Sequence, residues 1–263
     1  MSTSDLELLG AGREAEIFAW QDGRVLRLAR DPADTGMIER EAIALAAAHN
    51  AGANVPGVYE RVTVDGRPGV VLERVDGIDL LDALAGRPWT VRAVGKTLGV
   101  EHAALHRVKA PSALPDLREE LRHRLASPLV PDDVRVRTLE RLDALPDGDR
   151  LLHGDFHPAN LLRTAGGYVV IDWTNGMSGD PAADVARTVL LTGGGKLADG
   201  TAVVVRVIAP VARRVLLAGY LGAYAREAPL DRGLVDRWLP VWAAARLSAE
   251  IEQEREFLLD RAR

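Results

Sequence analysis

From Leu151 to Asp184 the chain reads LLHGDFHPANLLRTAGGYVVIDWTNGMSGDPAAD, and no other stretch of its 263 residues restricts the fold so tightly. Leu151-Leu152 is a short apolar lead-in. Gly154 and Pro158 break any helix across the residues that follow. Asn160–Arg163 and Tyr168–Ile171 then read as two strands joined by a turn at Ala165-Gly166-Gly167. A hairpin of that length returns Asp172 to the neighbourhood of Asn160, so that two side-chain oxygens could share one cation.

The residue types in this segment suit phosphoryl transfer. A loosely bonded phosphoryl group in flight needs positioned metal ions and a carboxylate facing the attacking hydroxyl. Asp155 can supply the carboxylate, and Asn160 and Asp172 offer the hard oxygen ligands that Mg2+ prefers. A zinc cluster of His153, Asp155 and His157 is the competing metal reading. It lacks a fourth ligand at suitable spacing. Chance explains a lone His-Gly-Asp, or an Asp that only caps a turn, but poorly explains loop, hairpin and second Asp together.

Upstream, Leu6–Leu9 and Glu16–Trp20 read as strands around Gly10-Ala11-Gly12-Arg13-Glu14-Ala15. Gly10 and Gly12 let backbone turn tightly against a phosphate, although a lone Gly-x-Gly is also an ordinary hairpin. Asp22-Gly23 signals a hairpin, and Arg24–Ala29 reads as the next strand, with Arg27 on the same face as Val25 and Ala29. A charged residue between apolar neighbours on an inward face needs a partner. Helical spacing over Met37–His49 offers Glu41 first and Glu39 second. Val58–Val64 and Gly69–Arg74 form a further hairpin around Asp65-Gly66, and Val71–Gly77 reads as a connector.

Beyond Gly77 the pattern is helical: Thr90–Val108, Leu117–Ala126 and Asp132–Leu145, with prolines between them. Asp180 before Pro181 reads as a helix cap, and Asp184 as an anchor for the 153–160 loop. One further helix is expected near Leu239–Leu259, carrying Glu250, Glu252, Glu254 and Glu256. Trp238 and Trp242 could line a cleft, but core packing is the commoner fate of such a pair.

Taken with these motifs, His-x-Asp-x-x-x-x-Asn (His153 to Asn160) followed by a strand-closing Asp172 resembles the aminoglycoside phosphotransferase and choline kinase branch of the protein-kinase-like superfamily. The resemblance implies an α+β, bilobal, protein-kinase-like fold. Residues 1–75 would form a small antiparallel-sheet lobe with one helix, and 76–263 a larger, mainly helical catalytic and acceptor lobe. It implies ATP or GTP and Mg2+, with Asp155 as base, His153 bracing the catalytic loop, and Asn160 and Asp172 on the metal. Gly10, Gly12 and Arg27 would steady the nucleotide phosphates, with Glu41 in the nucleotide site as the partner of Arg27, while the backbone at Glu73 and Val75 would meet the base. In this family the position of Arg27 is usually a lysine; no lysine precedes Lys96, so Arg27 must serve or the contact is lost. The implied acceptor is a small, amine-bearing molecule with a hydroxyl, an antibiotic first and a metabolite such as an amino sugar or choline-like alcohol second. A non-catalytic nucleotide-binding protein is the competing class, suggested by the missing lysine.

Composition sets bounds. The absence of cysteine excludes disulfides, zinc-thiolate sites and a catalytic thiol, and fits a cytoplasmic setting. A net charge of −5 argues against a nucleic-acid surface and is compatible with a cationic acceptor. No charged-apolar-small leader opens the sequence. The apolar run Val203–Tyr224 is interrupted by Arg206, Arg213 and Arg214 and so reads as a buried helix, not a membrane span. A monomer is the expected state.

Overall fold

The computed structural model describes residues 2–194 and 203–263. Its first part is a five-stranded antiparallel sheet in the order β1-β2-β3-β5-β4. The strands are β1 (Leu8–Ala11), β2 (Ala15–Trp20), β3 (Arg24–Ala29), β4 (Val58–Val64) and β5 (Arg67–Glu73), with helix α1 (Thr35–Asn50) between β3 and β4. Strand β1 begins two residues later than the sequence suggests. Leu6 is drawn under the sheet against the small core of Phe18, Leu26, Leu28, Val64 and Val71, and a register shift between Leu8 and Gly10 places Gly10 inside the strand. Such a bulge bends the strand. The Gly-x-Gly turn is therefore shorter than expected, closed by Gly12 N donating to Ala15 O at 2.9 Å.

The helical part begins with β6 (Ile78–Asp79) and α2 (Leu80–Gly86), elements that the sequence pattern did not reveal. Asp79 caps α2 by accepting from the N–H groups of Leu81 and Asp82. Then come α3 (Val91–Leu105), α4 (Leu117–Leu125), α5 (Asp132–Asp143) and β7 (Arg150–Leu152). Strands β8 (Leu161–Thr164) and β9 (Gly167–Val170) form the expected hairpin, and β6 adds to its edge in the order β6-β8-β9. Asn160 is not in the strand: Pro158 opens a 3-10 turn over Pro158–Asn160, and the ladder starts at Leu161. Strand β10 (Met177–Gly179) pairs with β7, and α6 (Pro181–Gly193) follows, capped by Asp180 through Ala182 N.

The rest is α7 (Val203–Glu227), α8 (Arg232–Arg246) and α9 (Glu252–Ala262). Two expectations need correction. The run from Val203 is a helix, but only half-buried: Leu216, Tyr220 and Tyr224 are in the core while Ile208 and Val211 face solvent. The single helix expected over Leu239–Leu259 is two, because Glu250 adopts a left-handed φ of 55° and turns the chain between α8 and α9. No described helix is long and apolar enough to cross a membrane.

One core runs through the molecule from α1 to α9, and Trp238 and Trp242 are wholly inside it. Helices α3 and α7 approach closely because Gly95 and Gly99 present no side chain. A Cβ at Gly99 would lie 2.3 Å from Tyr220 O and 2.7 Å from Tyr224 N. This approach brings His102 and His106, one turn apart on α3, within reach of the tyrosines on α7.

Candidate active site

The loop after β7 is fixed by its own backbone. Gly154 has φ 73°, and a Cβ there would meet Asn175 O at 2.3 Å, so only glycine fits on both counts. Asp184, buried on α6, accepts from His153 N at 2.7 Å and Gly154 N at 3.0 Å. Its Oδ2 also faces His102 Nε2 at 3.1 Å and His106 Nε2 at 3.3 Å. Those nitrogens face a carboxylate and so carry the protons, leaving each Nδ1 to accept from Tyr220 Oη (2.7 Å) or Tyr224 Oη (2.6 Å). Burial, then the neighbouring His106, push the His102 pKa down to about 3, so that ring is neutral. The anchoring role expected of Asp184 is what the structure shows.

His153 ties the loop to the hairpin. Its Nδ1 accepts from Asp155 N at 3.2 Å and its Nε2 donates to Ile171 O at 3.0 Å. Burial holds it below the usual imidazole range. Asn160 makes a second tie: its Nδ2 donates to Asp155 O at 2.9 Å, and Ile171 N donates to Asn160 O at 3.0 Å. Asp155, Asn160 and Asp172 are therefore joined through two side chains and one strand end.

Asp172 sits just past β9 at φ 63°, a left-handed conformation tolerated by a short polar residue and a recurrent feature of strained functional positions. Its Oδ1 accepts from Thr174 Oγ1 at 2.9 Å and from Arg27 Nη2 at 3.0 Å. Arg27 Nε also lies 2.9 Å from Oε2 of Glu41, whose side chain is 1% exposed. Glu39, the second choice of partner, pairs instead with Arg61 at the surface. Burial pushes the Glu41 pKa up to about 7, opposed by the Arg27 charge. For Arg27 burial acts to lower the pKa, and the charges of Glu41 and Asp172 outweigh it, so its pKa lies above the ordinary value.

These groups line a cavity of about 440 Å3 between the sheet and the hairpin, walled by Ile17, Val25, Arg27, Glu41, Asn160 and Asp172 among others. Glu73 and Val75 close its far end. Glu73 N is already bonded to Gly57 O at 2.8 Å, which leaves its carbonyl as the group that could meet a base there. Leu9 lines the cavity, whereas Gly10 and Gly12 do not; they shape the strand and turn beside it.

Asp155 is 25% exposed and is not among the residues that line this cavity. His157 Nε2 lies 3.4 Å from its Oδ2, and Arg187 Nη2 3.4 Å from its Oδ1. Burial alone would raise its pKa; the His157 bond and the Arg187 charge outweigh that and hold it well below the usual carboxylate range. Sequence reasoning missed Arg187. Its signal was spacing: Asp184 and Arg187 are three apart, hence on one helix face, so a residue pattern that pointed Asp184 at the loop pointed Arg187 there too.

The glutamates near the C-terminus do not gather at this site. Glu254 is paired with Arg246 at 2.6 Å, Glu250 and Glu252 line a separate cavity with Leu129 and Arg255, and Glu256 is exposed.

A five-stranded sheet over a helical body, with carboxylates and an amide converging at a cavity between them, defines a phosphotransferase of protein-kinase-like fold. Solved structures share this architecture. A thermostable mutant of aminoglycoside phosphotransferase APH(4)-Ia superimposes with a TM-score of 0.64 at 18% identity, covering 98% of this chain and 92% of that one. The amicoumacin kinase hAmiN, in complex with AMP-PNP, Ca2+ and Ami, gives 0.63 at 15% identity over 99% and 89%. A putative fructosamine-3-kinase from Haemophilus somnus 129PT gives 0.63 at 15% over 98% and 91%. No curated protein sequence matches the chain. The model of the phosphotransferase enzyme family APH matches residues 5–247, and the chain belongs to that family. It is accordingly a small-molecule kinase, a phosphotransferase acting on a hydroxyl acceptor.

Proposed function

We propose that the protein transfers the terminal phosphoryl group of ATP or GTP to the hydroxyl of a small molecule, with Asp155 facing that hydroxyl. The observation that supports this reading is the pair of ties, through His153 and Asn160, that link the backbone of Asp155 to Ile171, the neighbour of Asp172.

The donor set fits a divalent cation. Fixing the Asn160 Nδ2 on Asp155 O turns its carbonyl oxygen outward, and the Asp172 carboxylate, 35% exposed, lines the same cavity. Two hard oxygen ligands completed by phosphate oxygens are what Mg2+ takes. When bound there, Mg2+ would neutralise charge on the β- and γ-phosphates.

The chain's own groups do the rest. Arg27, fixed by Glu41, presents its guanidinium to the phosphates in place of the usual lysine. Asp155 accepts a hydrogen bond from the acceptor hydroxyl and aims its oxygen at the γ-phosphorus. As the new P–O bond forms, the bond to the β-phosphate oxygen breaks, and the hydroxyl proton passes to Asp155 and on to solvent. A carboxylate held this far below its ordinary pKa is a weak base, so it orients the hydroxyl early and takes the proton late, in keeping with a loose transition state.

Asp155→Asn tests the assignment. Turnover should fall by about 10²–10⁴-fold, with the melting temperature and nucleotide affinity close to wild type. Unchanged turnover refutes it. A non-catalytic role would require wild-type protein to bind Mg-nucleotide and form no phosphorylated product with any acceptor.

A further inference from the structure

We infer that the acceptor of this reaction carries an acidic group, a carboxylate or phosphate, and that Arg187 on the acceptor side of Asp155 receives it. The inference rests on the phosphotransfer reading and names its substrate class.

Arg187 comes from α6, and neither it nor Trp242 lines the nucleotide cavity. Arg187 Nε donates to Gly154 O and its Nη2 lies 3.4 Å from Asp155 Oδ1. Its third nitrogen, Nη1, is buried with no partner, on a side chain only 5% exposed. A buried charged N–H without an acceptor is costly, so its retention calls for an oxygen supplied from outside the chain. Asp155 is open to solvent, and anything hydrogen-bonded to it sits about one contact away from that guanidinium.

The surroundings reinforce the sign. Arg187 lies over the Trp242 ring at 4.6 Å, and Arg124 faces the same ring at 5.9 Å while donating to Asn175 Oδ1. Arg124 and Arg246 both act to depress the Arg187 pKa, which burial and these charges bring down to about 10. Each of those two is matched by a glutamate, Glu120 or Glu254. Arg187 faces Asp155, already met by His157, and at longer range Asp184, whose oxygens are taken by His102, His106 and two backbone N–H groups. A polycation placed here would meet guanidinium groups and no spare carboxylate among those that bracket them. An acid group would complete the fork of Arg187, which pairs with carboxylate and phosphate in the same planar geometry.

The test uses the full wild-type protein with Mg-ATP and three sets of hydroxyl acceptors: acids (glycerate and gluconate as carboxylates, glycerol phosphate as a phosphate), neutral polyols (glycerol, glucose) and amines (ethanolamine, choline, kanamycin). Product is read by phosphorus NMR. The acid set should show kcat/KM at least about 10-fold above the others, the worth of one charge-assisted contact, and its two kinds of acid distinguish carboxylate from phosphate. In Arg187→Gln, KM for the best acid acceptor should rise about 30-fold with a smaller change in kcat, and Arg187→Lys should recover part of it. Preference for the amine or polyol set overturns the inference and leaves the kinase reading standing. Product from none of the sets counts against both. Loss of equal size for acid and neutral acceptors in Arg187→Gln also overturns it, since that is the mark of a merely structural role.

Discussion

Arg27 holds two carboxylates at once. Where a lysine would offer one point charge, the guanidinium reaches Glu41 through Nε and Asp172 through Nη2. It therefore braces Asp172 as well as the helix. The pair is buried, so removing one partner strands the other. Arg27→Met should destabilise the fold by about 3–5 kcal/mol, measured by urea unfolding, and weaken nucleotide binding. A loss below about 1 kcal/mol would mean that the pair is solvated and plays no bracing role. Arg27→Lys should keep part of the nucleotide affinity but lose the double contact. The identity of these residues was legible from the sequence because a charge between apolar positions on one strand face demands a partner, and Glu41 was the first candidate. Arg187 was missed, although its spacing of three from Asp184 put both on the helix face that meets the loop.

Among the elements, α3, α6 and α7 act as a clamp on the catalytic loop. Gly99 allows α3 and α7 to touch, Tyr220 and Tyr224 orient His102 and His106, and these present protons to Asp184, which holds the backbone of His153 and Gly154. Gly99→Ala should force the helices apart and cost about 1–3 kcal/mol or more by overpacking, with lower activity even where the protein stays folded. An unchanged melting temperature would show that the approach is not tight. The clamp also predicts a pH dependence. The folded pKa of His102 is about 3, below its ordinary 6.5. The folded state thus binds fewer protons than the unfolded one, and this contribution is complete above about pH 6.5 and lost as pH falls toward 3. Asp184, which burial acts to raise but hydrogen bonds from His102 and His106 hold below its ordinary value, loses its contribution in the same direction at lower pH. Glu41, raised to about 7, works oppositely, its contribution fading as pH rises from 4.5 to 7. His102→Asn should therefore reduce the slope of stability against pH between 4 and 6 by about 1.4 kcal/mol per pH unit. A slope equal to wild type would mean that His102 is charged in the folded protein. Of this network only the Asp184 anchor was visible in the sequence, where two histidines one turn apart on an apolar helix look like ordinary core residues. The order of strands and helices was visible, because Asp22-Gly23, Asp65-Gly66 and Gly166-Gly167 mark their turns chemically. The α8–α9 break was hidden because Glu250, not a glycine, takes the left-handed position.

At the scale of the whole molecule, the sheet supplies Arg27 and the helical body supplies Asp155, Asn160 and Asp172, with one cavity between them. If Asn160 and Asp172 hold one metal-nucleotide there, calorimetric titration of a non-hydrolysable ATP analogue, with and without Mg2+, registers it on wild type and on Asp172→Asn. Mg2+ should tighten binding by about 10-fold or more in wild type, and this enhancement should disappear in Asp172→Asn while Asp155→Asn retains it. Equal enhancement by Mg2+ in wild type and Asp172→Asn would rule out a metal on Asp172.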